Sequence, residues 1–419
     1  MIDESIISGM SKKNLLRLDQ FLQKNYINNG KLSGLVMAVY RKNNLVHCSS
    51  LGYMDKELRK PMTRDTIFRI YSMTKPITSV ALMQLYEKGL FRLNDPVSKY
   101  INNFDSMEVF QSGTSESYKT QPSSRDITIR DLLTHQSGLS YGLTRKTVVD
   151  QLYQDKGILY NNVSLKEKIK LLCELPLEFS PGEYWNYSVS TDVCGYLIEL
   201  MSGLPLDKYF IEYIFDPLEM QDTSFYVSNN KLDRLACNYE FQSCGLPTKT
   251  ENPIYGDYTK SPIFLSGGSG LVSTIDDYMN FCQMILKFGK FKKNQILNKK
   301  TIELMSENHL GNPNTALNDM VPMNLDLRNK TFDRSNEGKY YWNYSGVGFG
   351  LGFAVLLDNM KTQSIGSVGQ LSWGGYASTT FFIDHFEDMA VVFLTQLLPS
   401  ESYNVSMEIR NLIYSAIVD

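Results

Sequence analysis

The sequence predicts an α+β fold: an antiparallel sheet flanked by helices, with a mainly helical lobe inserted into it. Three observations lead there. Hairpin-like runs rich in β-branched and aromatic residues lie near both ends of the chain, at 35–52 and 380–396. Between them, apolar residues recur at helical spacing from about 71 to 260. An amphipathic segment at each terminus then supplies helices to cover a sheet face. The expected division is a sheet-and-helix lobe of 1–70 together with 261–419, and a helical lobe of 71–260.

Taken in order, Leu15, Leu18, Phe21 and Leu22 give 12–24 one apolar face, as a helix requires. "LVMAVYRKNNLVHCSSLG" reads as two strands joined at Lys42–Asn44. Helical patterns follow around 126–135, 164–175, 192–202 and 205–215, and 111–125 is a polar, Ser/Thr-rich loop. From about 265 the chain returns to strand-like, Gly-rich segments. The clearest are "GVGFGLGFAVLLD", "SIGSVGQLSWGG" and the hairpin "TTFFIDHFEDMAVVFLTQ". The Asn-rich stretch 311–340 reads as a long surface loop. Val405, Ile409, Leu412, Ile413 and Ala416 mark the closing helix.

Composition narrows the function. The 419 residues carry 42 basic and 45 acidic side chains, a net charge of −3 without a basic block. Nucleic acid and anionic membrane are therefore not expected partners. "MIDESIISGMSKKNLL" lacks the basic and apolar regions of a signal peptide, and the longest apolar runs are about half the ~20 residues of a membrane span. A soluble, cytoplasmic protein is expected. Six cysteines form no CxxC pair, and four histidines form no HxH or HExxH, so free thiols and no metal are expected.

"FRIYSMTKPITS" (68–79) holds the first chemical signal. Ile77, Val80, Ala81, Leu82, Met83 and Leu85 cover most of a helix circumference, and Gly89 supplies its stop. Pro76 is tolerated only in a first turn, so the helix begins close to Ser72. That sets Ser72 at a positive dipole end, with Lys75 on the same face one turn on. A serine hydroxyl needs a neighbouring base to become a nucleophile, and a lysine of lowered pKa can serve. The spacing alone decides little, because "SNNK" at 228–231 shares it in a charged, unremarkable setting.

Two further elements accompany it. In "SPGEYWNYSVSTDVCGYLIELMSG", Tyr187 stands on a loop before a helix capped around Ser190 or Thr191. Its phenol would act as a base only beside an ammonium such as Lys75, and burial as an ordinary core tyrosine is the competing reading. Other Y-x-N matches, at 26, 160 and 278, have no companion signal. In "LSWGGYASTTFFIDHFEDMAVVFL", Trp373, Gly374 and Gly375 open a strand whose missing side chains let backbone approach a ligand. The N–H of Tyr376, paired with that of Ser72, could hold an oxyanion; a β-bulge is the alternative.

These motifs, with "LLTHQSGLSYG" and "LSGGSGLVSTIDDYMNF", occur in the order of the class C β-lactamase-like serine hydrolases. Over roughly 15–415 the chain most resembles the branch of family VIII carboxylesterases and statin-type acyltransferases. The resemblance implies a serine β-lactamase/penicillin-binding-protein-like fold with its active site between the two lobes. It implies Ser72 as nucleophile, Lys75 as its partner, Tyr187 as general base, and oxyanion N–H groups at Ser72 and Tyr376. It further implies a small-molecule ester or amide substrate, no cofactor, and a monomer or homodimer.

Two departures bear on the substrate. Trp373 stands where the lysine of the family's K-T-G strand would hold a β-lactam carboxylate, and Val189 stands where an asparagine would bind an acylamino group. Together with Gly374 and Gly375 these are the expected substrate-binding positions, and they favour esters over β-lactams. His135 is read as structural. "GGSG" at 267–270 and "GVGFGLG" at 346–352 lack a phosphate- or nucleotide-binding spacing and are read as packing or turn features. Asp192 either orients the Tyr187 loop or simply complements a helix N-terminus.

Overall fold

The structure is a computed structural model that describes residues 5–143, 147–159, 163–251, 257–312, 314–320 and 345–419. Its centre is an eight-stranded sheet in the order Val347–Phe349, Ala354–Leu356, Leu371–Gly374, Thr380–Asp384, Met389–Thr395, Gly34–Arg41, Asn44–Asp55, Lys60–Pro61. Every neighbouring pair is antiparallel. Strands from the two ends of the chain meet in the middle, where Val391 pairs with Val39 and Phe393 with Met37. The turn between the first two long strands is Lys42-Asn43, both at positive φ (49° and 65°). That conformation matches the right-handed strand twist and makes the tight hairpin.

The strands "LVMAV" and "MAVVFLT" run apolar without alternation because both faces are covered. Met37, Val39, Val391 and Phe393 point to one face, where Leu15, Leu18 and Leu22 of helix Lys12–Leu22 meet Ile409 and Ile413 of helix Val405–Tyr414. Val36, Ala38, Val392 and Leu394 point to the other, against Tyr278, Phe281 and Ile285 of helix Ile275–Leu286. This second core continues into the helices Thr74–Glu87 and Ser190–Ser202, which pack together. Helix Thr74–Glu87 is buried from Thr74 through Met83, as its all-round apolar pattern requires, and ends before Gly89 at φ 73°.

Several elements differ from the sequence reading. The polar stretch 111–125 is largely a hairpin, Glu108–Gly113 with Tyr118–Pro122, whose exposed strands carry no apolar alternation to betray them. Helix Val148–Asp155 was not expected; Thr147 caps it through the Asp150 N–H. Helices Ile275–Leu286 and Lys299–Ser306 interrupt the region read as strands and glycines. Trp373 and Gly374 end a strand rather than begin one, because Gly375 bonds back to Thr379 and turns the chain. Most of 311–340, and Tyr160, lie outside the described residues. Among the described residues no helix is long and apolar enough to cross a membrane.

Candidate active site

The chain enters the site through a strained residue. Tyr71 is buried at φ 42°, a left-handed conformation that a bulky side chain adopts only when its surroundings impose it. The side-chain amide of Asn238 donates to its hydroxyl at 2.9 Å, and the rings of Tyr258 and Tyr376 pack edge-on against it. A 3₁₀ turn, Tyr71–Met73, then leads into helix Thr74–Glu87. Ser72 thus sits at the helix start that Pro76 demands, and the Tyr278 hydroxyl donates to the Met73 carbonyl to fix the turn from behind.

Two groups converge on Ser72. The Tyr187 hydroxyl donates to its Oγ at 2.7 Å, and Lys75 Nζ lies 3.3 Å from the same atom. Lys75 is 2 % exposed, and Nζ donates to the Gly268 carbonyl at 2.8 Å. Nζ also stands over the Tyr187 ring, 4.5 Å from its centroid. Burial pushes the Lys75 ammonium down to about 7, against the opposing pull of the Asp192 carboxylate. The Tyr187 phenol is pushed well above its ordinary value, burial again being the main cause. Ser72 and Trp373 favour its ionised form, although Trp373 Nε1 makes no hydrogen bond of ordinary geometry. These shifts favour a neutral phenol beside an easily neutralised amine. Burial is the largest influence on both groups and disfavours charge on each.

Tyr187 is held by an aromatic surround: Tyr141 at 5.4 Å between centroids, Trp373 at 5.6 Å and His135 at 4.9 Å. Its loop is pinned by bonds from the Asn186 N–H to the His135 carbonyl and from the Asn186 side chain to the Leu139 carbonyl. His135 is buried at φ 58°, with Nδ1 3.3 Å from Ser188 Oγ, and burial, then the nearby Lys75, hold its imidazole well below the usual histidine range. The helix after Tyr187 begins at Ser190 with Val189 as a cap that makes no side-chain bond, so neither Ser190 nor Thr191 caps it. Val189 itself is buried in the main core, its N–H on the Ser140 carbonyl.

The turn Gly375–Ser378 lies against the nucleophile's approach. A Cβ at Gly375 would collide with the Ile70 carbonyl oxygen and the Thr379 hydroxyl, so only glycine fits there. Tyr376 follows at once, its ring 6.1 Å from that of Tyr71. "SNNK" by contrast lies on an exposed 3₁₀ helix, with Lys231 bonded to the Gln221 carbonyl and paired with Asp222.

Sequence reasoning passed over two participants. Tyr141 stacks on Tyr187 and lies 3.5 Å from Lys75 Nζ; its position in "GLSYG", on a turn following His135, was the available signal. Gly268, read as a packing or turn feature, presents its carbonyl to Lys75. Among the described residues no three His, Cys, Asp or Glu side chains gather as a metal site.

The Beta-lactamase family model matches residues 18–414. The chain belongs to the beta-lactamase family. Within it, Protein Rv1367c of Mycobacterium tuberculosis strain H37Rv is 31% identical over 90% of this chain and 89% of its own. Esterase EstB of Burkholderia gladioli is 26% identical over 87% of this chain and 86% of its own. Among solved structures, EstCE1, described as a hydrolase with promiscuous acyltransferase activity, superposes with a TM-score of 0.77 at 26% identity. It covers 96% of this chain and 99% of its own. The family's esterases and acyltransferases thus share this fold across nearly its whole length.

Proposed function

We propose that the protein is a serine hydrolase that cleaves carboxylic esters through an acyl-Ser72 intermediate. One observation carries this reading: Tyr187 and Lys75 both reach Ser72 Oγ, at 2.7 and 3.3 Å. Lys75, as a free amine, takes the Oγ proton as the oxygen attacks the ester carbonyl. The tetrahedral oxyanion is held by the N–H groups of Ser72 and Tyr376. Tyr187 gives its proton to the leaving alkoxide, and the Lys75 ammonium restores it, which leaves the pair as it began. Lys75 is thus the base and Tyr187 the acid of acylation, and Tyr187 becomes the base toward water when the sequence runs in reverse. Water then attacks the acyl group by the reverse sequence.

Trp373 and Val189 point to esters over β-lactams, since neither offers a cation or an amide to a lactam's polar groups. A panel of p-nitrophenyl esters run beside nitrocefin tests the reading. Short-chain esters should turn over far faster than nitrocefin, and Ser72→Ala should abolish turnover; activity retained in that variant would sink the assignment. Acyl transfer is the second reading, favoured by the likeness to EstCE1. Product analysis with an added alcohol separates the two: a new ester marks transfer, and free acid alone marks hydrolysis.

A further inference from the structure

One buried carboxylate beside the site has no part in the chemistry above. Asp192 lies in the first turn of helix Ser190–Ser202, 4 % exposed. Its Oδ1 accepts from the Ser266 hydroxyl at 2.6 Å and from the Gly268 N–H at 3.0 Å. The carbonyl of that same Gly268 accepts from Lys75 Nζ at 2.8 Å. A single glycine therefore joins the carboxylate to the amine, one at each end of its own residue. Gly268 also lies flat against the carboxylate, since a Cβ there would stand 3.1 Å from Asp192 Oδ2.

A second buried lysine shares this environment. Lys168, on helix Leu165–Leu172, donates to the carbonyls of Gly157 and Ile158 at 3.1 and 2.7 Å. Asp192 is the carboxylate that favours the charged forms of both Lys75 and Lys168, and each of them favours its ionisation in turn. The other titratable groups facing this cluster are the phenols of Tyr141 and Tyr187, the imidazole of His135 and the thiol of Cys194. Burial holds Tyr187, His135 and Cys194 neutral near pH 7. It also raises the Asp192 carboxyl, and the Ser266 hydroxyl, Lys75, the Gly268 N–H and Lys168 oppose it in that order, so Asp192 is the group here whose ionised form its partners support.

A carboxylate kept out of water is expensive unless it is paired and hydrogen-bonded. Here its bonds run to the loop that carries the Lys75 acceptor. We propose that Asp192 is a positioning residue for the reaction. Through Gly268 it holds the Lys75 amine on Ser72, and its carboxylate, across that glycine, biases the amine toward its charged form. The inference rests on Ser72 as nucleophile and Lys75 as base.

The sign of each change follows from charge. Asp192→Asn keeps the shape and removes the anion, so Lys75 sheds its proton more readily. The acid limb of kcat/KM against pH should move to lower pH, by about half a unit to one unit. Ser266→Ala removes a donor that supports the anion, so the same limb should move the same way by less. A merely structural aspartate would lower activity without moving the limb in either variant.

The test follows p-nitrophenyl acetate turnover and fluorophosphonate labelling of Ser72 between pH 5 and 8.5, in the full-length wild type and both variants, with thermal melts to check folding. Downward shifts in both variants support the proposal. A wild type that takes no label at Ser72 defeats the underlying ester reading, and this inference with it. Labelling in all three proteins with an unmoved limb overturns the inference alone. Should Asp192→Asn fail to fold, the Ser266→Ala limb decides: a downward shift supports the proposal, and no shift overturns it.

Discussion

The ring of Tyr141 stacks on that of Tyr187, with centroids 5.4 Å apart and planes inclined by 21°, and its hydroxyl stands 3.5 Å from Lys75 Nζ. The loop that delivers Tyr141 is fixed by Asp150, which accepts from the Ser140 hydroxyl at 2.9 Å and the Gly142 N–H at 2.7 Å. The stack constrains the Tyr187 ring, and the contact from the hydroxyl to the amine is a long one. Tyr141→Phe should therefore lower kcat/KM on a short-chain p-nitrophenyl ester by less than about 10-fold. Tyr141→Leu, which removes the stack, should cost on the order of 10²-fold through misplacement of Tyr187. Equal losses in the two variants would show that the hydroxyl, not the ring, matters.

Lys75 makes the activity pH-dependent. Burial lowers its ammonium from the usual lysine value to about 7, with Asp192 opposing. The free amine is the reactive form, so kcat/KM should be low under acidic conditions and rise through about pH 7 to a plateau. His135 cannot produce that limb, since burial keeps its imidazole neutral well below it. Tyr187, with its phenol pushed up, titrates on the far side. A profile flat from pH 5 to 8.5 would remove Lys75 from the base role.

The same burial destabilises the fold. A lysine whose folded pKa is depressed binds its proton more weakly than in the unfolded chain. Between about pH 7 and the usual lysine value the unfolded state holds more protons, so stability rises with pH across that window. At neutral pH the cost is roughly 3–5 kcal/mol by the usual conversion of a pKa shift. Lys75→Met removes it but leaves the Gly268 carbonyl without its donor, a loss of about 1–3 kcal/mol. The net expectation is an inactive variant more stable than wild type by up to about 4 kcal/mol at pH 7, read by urea unfolding. A destabilised Lys75→Met would show that the buried amine holds the site together more than it strains it.

What the sequence discloses divides along physical lines. The position of Ser72 at a helix start followed from Pro76 alone, because proline's missing N–H constrains a helix locally. The strands around Val39 and Val391 were legible because burial on both faces leaves a continuous apolar run. The hairpin Glu108–Gly113 with Tyr118–Pro122 was not, since exposed polar strands carry no such record. Helix Ile275–Leu286 was hidden behind its glycine-rich approach, although Thr274 as cap and Asp276 and Asp277 in the first turn mark it. Tyr141 and Gly268 were missed for a different reason. One acts through a ring stack and the other through a backbone carbonyl, and neither leaves a motif that depends on residue type. The protonation of Tyr187 and Lys75 was also out of reach, since it follows from burial that only the folded chain defines.

Gly375 offers the sharpest steric test. Any side chain there would meet the Ile70 carbonyl oxygen on one side and the Thr379 hydroxyl on the other. The first belongs to the backbone two residues before Ser72 and cannot swing away, unlike the tip of a flexible side chain. Its neighbour Tyr71 is already strained at φ 42°, so the segment has little freedom to absorb a displacement. Gly375→Ala should therefore push the turn carrying Tyr376 away from Ser72. Overpacking of this kind costs about 1–3 kcal/mol of stability. A shift approaching 1 Å between nucleophile and oxyanion donors should cost on the order of 10²-fold in kcat, with KM little changed. Melting curves and steady-state kinetics on one ester, measured beside Gly374→Ala, check it. Gly374 is the milder position, because its added Cβ meets only the Thr379 carbonyl at 3.1 Å. Equal effects at the two glycines would refute the argument that the Ile70 carbonyl sets the geometry.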